Sequence, residues 1–520
     1  MLKRKGVLFQ SSLTADNGRL TLFKEMKLSK GYSKILTISI IAFWLVMMGL
    51  LVKRTYFNIP EFSQPPVLAD TDKADLILGE EWMGIYMGKD KIGYSVTNIQ
   101  KGNHIYLVSE RTVMRLNVMG TPQEITILTN AVLDRDFSIK SFRFDLQSGV
   151  VKFQSQAKVS KGEMELNITS GGRKTKETIP LKTTPYLPGS LRLMLLQQGL
   201  SVGKEFRFPI FDPSTMSNEE IVVRIEGKEK LKIGNERFSA YRLKETFKGV
   251  VVRSWISEEG KTLKEESPMG MVMIRETGEE ALTKNWGKGA SIDIISSTAV
   301  PANIHIEKPQ FVKYLKIKLK AIPLSDFNLT KGRQVLIGDI MEITREEINM
   351  GNSYILPLKE KGFEGYMKPS PLVQSNDAKI IEEAKRIVGD ERDALKAAKR
   401  IMEWVYQSID KKPTISIPSA LEVLESKVGD CNEHTTLFTA LTRAVGIPTR
   451  IITGIVLSDN NFYYHAWAEV YVGKWVSIDP TMNQFPADAT HIGFVEGGLD
   501  KQVEMMKVIG HLKAEILGYK

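Results

Sequence analysis

Three periodicities of apolar and polar positions run along the chain. Ile35 to Val52, ILTISIIAFWLVMMGLLV, holds eighteen residues without a charge and without a polar face. From about residue 80 to 300, short runs alternate apolar with polar and break at Gly, Asn and Asp. Ile105-Tyr106-Leu107-Val108, Ser141-Phe142-Arg143-Phe144-Asp145-Leu146 and Val250-Val251-Val252-Arg253-Ser254-Trp255-Ile256 are examples. A period of two predicts strands with one buried face, and Glu258-Glu259-Gly260-Lys261 predicts a hairpin turn between two of them. The expected product is one large twisted antiparallel sheet, interrupted by a short helix in the leucine-rich stretch Gly189 to Gln198. A second alternating region, about 301 to 370, is clearest from Phe311 to Leu319 and predicts a small sandwich-like β module.

After residue 376 the period becomes helical. Asp377 stands where an N-cap would precede Ile380, Ala384, Ile387 and Val388, and Asp390 where one would precede Leu395, Ala398, Ile401, Met402, Val405 and Ile409. Ser419-Ala420-Leu421-Glu422 has the form of a capping box and opens a short helix through about Lys427. Leu437, Phe438, Leu441 and Val445 recur at helical spacing until Gly446 and Ile447-Pro448 end the run. The chain is therefore α+β and multidomain. A tail (1–34), an apolar span (35–52) and a linker (53–79) precede a β-rich domain (80–300), a small β module (301–370) and an α+β domain (377–520).

Charge sharpens the reading of the apolar span. The net charge of +10 is concentrated at the N-terminus: ten basic residues against Asp16 and Glu25 leave +8 on residues 1–54, and only +2 on the other 466. A near-neutral body excludes a phosphate-binding surface and so argues against a nucleic-acid partner. Eighteen helical residues reach about 27 Å, enough to cross a hydrocarbon core. Lys53-Arg54-Thr55-Tyr56-Phe57, which follows, is not a small-residue cleavage pattern. The span reads as an uncleaved signal anchor, with eight basic residues before it, a cytoplasmic N-terminus and an exported body, periplasmic in a Gram-negative cell.

Cys431 is the sole cysteine, which rules out an internal disulfide. It lies in Gly429-Asp430-Cys431-Asn432-Glu433-His434, polar on both sides, at the start of a helix whose free amides and dipole are expected to lower its pKa. One thiol and scattered carboxylates do not make a zinc site, and no cofactor motif appears. Of six histidines, His104, His305 and His511 lack comparable context and His491 is a minor candidate for the base. His434, one turn after the cysteine, is a rival to His465. Tyr464 to Tyr471 alternates as a strand with His465, Trp467, Glu469 and Tyr471 on one face. Trp475 to Asp479 returns as the second strand of a hairpin. A two-residue loop would put Asp479 on the face away from His465. A three-residue loop, Val472 to Lys474, pairs Tyr471 with Trp475 and makes His465 and Asp479 diagonal neighbours. The odd loop is expected.

The segments Gly429 to His434, Arg443-Ala444-Val445-Gly446-Ile447-Pro448-Thr449-Arg450, His465-Ala466-Trp467 and Trp475 through Asp479-Pro480-Thr481 together resemble the transglutaminase-like superfamily. That resemblance covers roughly Ser419 to Thr481 and implies a papain-like core with Cys431 as nucleophile, His465 as base and Asp479 as orienting acid. It implies an enzyme that opens amide bonds of a protein or peptide through a thioester, without cofactor or metal. Hydrolysis is expected ahead of cross-linking. The competing expectation is a non-catalytic envelope module on the same scaffold. Trp467 and Trp475 are expected to pack the sheet, and Arg443 and Arg450 to serve structural pairs.

Overall fold

The computed structural model describes residues 77–520 apart from 150, 171, 284, 285, 287–292, 349, 350, 352 and 414. The span expected at 35–52 lies outside the described residues, and no helix among those described is long and apolar enough to cross a membrane.

Fourteen strands form one antiparallel sheet. Eight of them run as a meander from Gly79–Met87 to Arg173–Pro180, and six as another from Glu205–Asp212 to Met271–Glu276. The first strand closes onto the last, with Gly84 opposite Ile274. Alternation decides the faces: strand Ile139–Ser148 buries Ile139, Phe142, Phe144 and Leu146 and turns Lys140 and Arg143 outward. The sheet curls, because Phe142 meets Phe211, from the far edge strand, at a ring separation of 5.5 Å. It curls around helix Leu191–Gln198, which starts two residues later than the sequence suggests, after a tight turn at Pro188–Ser190. Its Leu191, Leu193, Met194, Leu195 and Leu196 are buried in the same core, each at about 1.5–3 kcal/mol of burial.

Beside that helix lies a cavity of about 430 Å³ lined by Glu81, Glu110, Glu245 and Glu265 and by Arg192. Arg192 pairs with Glu81. Burial, and then the Glu245 charge, push the Glu265 carboxyl up to about 7.

The small module is not continuous in sequence. Strand Tyr314–Lys320 buries Leu315, Ile317 and Leu319, pairing with Ile340–Thr344 on one side and with the C-terminal strand Lys513–Tyr519 on the other.

In the α+β domain, helices α1 (Ala378–Val388), α2 (Ala394–Ser408) and α3 (Ala420–Ser426) pack around α4 (Cys431–Ala444). The five-stranded sheet consists of β1 (Thr449–Ser458), β2 (Asn461–Tyr471), β3 (Trp475–Ile478), β4 (Ile492–Glu496) and the short strand Val300–Pro301, in the order β2-β1-β4, with Val300–Pro301 and β3 pairing the two ends of the other edge of β2. Asp377 caps α1 through the Lys379 amide. Two caps differ from expectation. Asp393, not Asp390, caps α2, because residues 390–393 turn back to bridge Ile355 before the helix begins. Ser419 makes no capping box: its hydroxyl accepts from Gln374, while Glu422 reaches the Lys152 amide and Ser170 on the large sheet.

Glu265 yields a test of the acidic cavity. Its folded pKa lies above the ordinary carboxyl value, so the fold is favoured by protonation there, and that contribution fades as pH rises from about 4.5 towards 7. Glu265→Gln, neutral at every pH, should stabilise the protein by about 3 kcal/mol at pH 8 and by nothing at pH 4. Denaturant unfolding at the two pH values checks this; an equal effect at both contradicts it.

Candidate active site

Helix α4 is buried along most of its length, from Glu433 to Thr442. A helix enclosed on all sides must satisfy its polar groups internally. Thr439 and Thr442 donate to carbonyls one turn back, and Thr435 donates to the Ala466 carbonyl at 3.0 Å, tying α4 to the middle of β2. Cys431 is the first residue of α4 and keeps partial exposure. Its sulfur also lies at Ala466, whose backbone hydrogen bond favours the thiolate.

The thiol is nonetheless not activated in the way its place at a helix start suggests. Asp430 and Glu433 form a true capping box: the Asp430 carboxylate accepts from the Asn432 amide at 3.1 Å and Glu433 accepts from the Asp430 amide at 2.9 Å. Gly429 makes room for this, since a Cβ there would sit 2.2 Å from that of Glu433. The box consumes helix-terminal amides and sets two carboxylates beside the sulfur. Burial, then Asp430, with Glu433 and Asp479 adding, push the thiol well above its ordinary range. The expected lowering is therefore reversed.

His465 sits near the centre of β2, opposite Gly454 of β1. Only glycine fits at 454, where a Cβ would meet the Ile492 carbonyl at 1.9 Å. The β2–β3 hairpin has the three-residue loop: Tyr471 pairs with Trp475 and Ala468 with Ile478, so Asp479 emerges on the His465 side. His465 Nε2 lies 2.7 Å from Asp479 Oδ2. The Asp479 Oδ1 accepts from the amides of Thr481 at 2.7 Å and Met482 at 3.0 Å. Burial alone would raise this carboxyl, but His465 and then His491 outweigh it and hold it far below the usual carboxylate range.

His434 is less well equipped. Its Nδ1 is 2.7 Å from the Asp430 carbonyl, Nε2 is buried without a hydrogen bond, and burial pushes its pKa down. Among the described residues no carboxylate hydrogen-bonds it, as Asp479 does His465.

His491, minor on sequence grounds, is central in space. Its Nε2 lies 3.0 Å from the same Asp479 Oδ2, and its Nδ1 lies 3.3 Å from Asp488 Oδ1. In the sequence Asp488 is marked only by its Asp488-x-x-His491 spacing. Burial opposes the imidazolium, but Asp488 and Asp479 prevail and raise His491 to about 9. His465, Asp479 and His491 bring ligand-type atoms within 4.8 Å of one another. Both imidazoles already engage one carboxylate oxygen at hydrogen-bond lengths, and the set is assigned to proton bonding.

Trp467 is buried and lies near-parallel to His465 at a 20° interplanar angle. Arg450 pairs with Glu469 and Glu496 and stacks on Trp475, whereas Arg443 ties the carbonyls of Thr449 and Lys368. A groove of about 580 Å³ across Asn98, Asn130 and Arg143 and the acidic cavity share no residue with this site. A cleft of about 270 Å³ does reach α4 at Thr436, and its Gln502 accepts from Tyr464, which also bonds Asn432 beside the cysteine.

The raised His491 pKa gives a stability contribution that is full below about 6.5 and lost as pH climbs through about 9. Wild type should lose about 3 kcal/mol between pH 6.5 and 9.5 that His491→Gln does not lose. Unfolding curves across that range decide it, and parallel curves contradict it.

Residues 382–480 match the model of the transglutaminase-like superfamily. No curated protein matches the sequence. Among solved structures, a candidate cysteine protease from Cytophaga hutchinsonii shares 16% identity over 40% of this chain and 86% of its own, with a TM-score of 0.27. A β-barrel-like protein of unknown function from Brucella abortus shares 12% over 38% of this chain and 94% of its own, at 0.29. A candidate protease from Parabacteroides distasonis shares 10% over 68% of this chain and 69% of its own, at 0.20. These likenesses are too partial to carry an assignment, which rests on the family match. Residues 382–480 are a transglutaminase-like superfamily domain.

Proposed function

We propose that this chain is a cysteine-dependent acyl-transfer enzyme acting on amide bonds, with Cys431 as nucleophile, His465 as base and Asp479 as the acid that orients it. The observation that carries the reading is the buried 2.7 Å bond from His465 to Asp479, on a strand whose next residue, Ala466, contacts both Cys431 and Thr435 of α4.

The resting thiol is protonated, so catalysis starts with a proton transfer. As the Cys431 sulfur attacks the amide carbonyl carbon, His465 takes the thiol proton and Asp479 stabilises the imidazolium. His465 then gives that proton to the leaving nitrogen, the C–N bond breaks and a thioester remains. Water attacks the thioester with His465 again as base, releasing the acid and restoring the thiol. Cross-linking would require an amine held at the thioester while water is kept out. With water the default acceptor, the reading is peptidase or amidase ahead of transferase.

The substrate is a protein or peptide, and a cell-envelope component fits best, because residues 35–52 read as a signal anchor that leaves the body outside the cytoplasm. The raised thiol favours a second reading, a non-catalytic envelope module on the same scaffold.

The two separate in one experiment. Envelope material is incubated with the full-length chain and with Cys431→Ala and His465→Ala, and its peptides are compared by mass spectrometry. Hydrolysed products should form with wild type and fall roughly a thousandfold or more in both variants. Cross-linked products would overturn the hydrolytic preference, and identical product sets would leave the scaffold reading.

A further inference from the structure

We infer that His491 is a positioning residue for the triad, a buried imidazolium clamped between Asp479 and Asp488 that fixes the carboxylate serving His465. The inference rests on the reading of Cys431, His465 and Asp479 as a catalytic set.

Geometry sets the protonation state. His491 is fully buried, and each ring nitrogen faces a carboxylate oxygen, Asp479 Oδ2 at 3.0 Å and Asp488 Oδ1 at 3.3 Å. A neutral imidazole donates from one nitrogen only and would turn a lone pair towards one of the two anions. The doubly protonated ring donates to Asp479 and sets positive charge against Asp488, which Nδ1 meets as an ion pair at 3.3 Å and not as a hydrogen bond. Asp488 is itself immobilised: its Oδ1 accepts from the Thr490 amide at 2.7 Å and the Thr490 hydroxyl at 2.6 Å, and its carbonyl accepts from Arg333. Trp467 holds the opposite flank, edge-on to His491 at 5.2 Å and near-parallel to His465 at 6.2 Å.

An enclosed chain of two acids and a base costs desolvation that an apolar filler would avoid. What this chain adds is control of one atom. Asp479 Oδ2 is shared by two imidazoles while Oδ1 is tied to two amides, so the carboxylate cannot rotate away from His465. The His491 charge also offsets that of Asp479. Without it, His465 would hold its proton more tightly and release it to a leaving nitrogen less readily. The charged and titratable groups that face His491 are Asp479, Asp488 and His465. Arg333, paired with Glu346, lies behind Asp488, and the Asp479 charge also acts on Cys431.

The test exploits the single cysteine, since every alkylation event reports Cys431. Iodoacetamide alkylation of the full-length chain is followed from pH 4 to 11 for wild type, His465→Ala, His491→Gln and His491→Leu, with the folded fraction of each checked by circular dichroism. Wild type should show a pH limb that His465→Ala abolishes. Glutamine can still donate to Asp479 but carries no charge. With ring centroids 5.7 Å apart, its loss of charge should move the His465-dependent limb about one to two pH units upward. His491→Leu removes the donor as well and should flatten the limb. A His491→Gln profile superimposable on wild type, at equal folded fraction, overturns the positioning role while leaving the triad intact. Coincident wild-type and His465→Ala profiles overturn the triad and this inference together.

Discussion

The Asp479 carboxylate takes four hydrogen bonds from three separate stretches of chain: His465 on β2, the Thr481 and Met482 amides just beyond β3, and His491 just before β4. A carboxylate with no exposure would be costly alone, by several kcal/mol after relaxation. Enclosed among these donors it becomes the fixed point on which the hairpin, the following loop and the β4 strand converge. Removing it would strand a buried imidazolium at His491 and leave His465 without an orienter. The fold and the proposed chemistry therefore depend on the same side chain.

The entry to α4 shows a trade between stability and reactivity. Helix starts are stabilised by acidic caps, and Asp430 and Glu433 supply a complete capping box. The same carboxylates oppose ionisation of the adjacent thiol. The site favours a firmly anchored helix over a resting thiolate, which moves the burden of activation onto His465. That makes the properties of Asp479, and of the His491–Asp488 pair behind it, more consequential than they would be around a pre-ionised cysteine.

Local periodicity made much of this legible in sequence. Alternation in Ile139–Ser148 and in Tyr314–Lys320 revealed strands and their buried faces, and loop parity alone placed Asp479 on the His465 side of the hairpin. What stayed hidden depends on contacts distant in sequence. No local pattern could tell that Lys513–Tyr519 completes the sheet begun at Tyr314, or that Glu422 would abandon a capping role for Ser170 on the large sheet. His491 looked isolated because its partners are a carboxylate twelve residues earlier in another strand's wake and an aspartate that no period marks. Asp430 and Glu433 are visible in the sequence, but their closure into an Asp-x-x-Glu box, and with it the sign of the thiol's shift, depends on side-chain geometry that the spacing alone does not fix.

The most direct test of a catalytic Cys431 is covalent capture. The full-length chain is exposed to a peptide-amide electrophile that needs a working base to react, and the intact mass is read over time. One adduct per chain, at Cys431 and formed quickly in wild type but not in His465→Ala, is the predicted result. Slow labelling at the same rate in wild type and His465→Ala would contradict it.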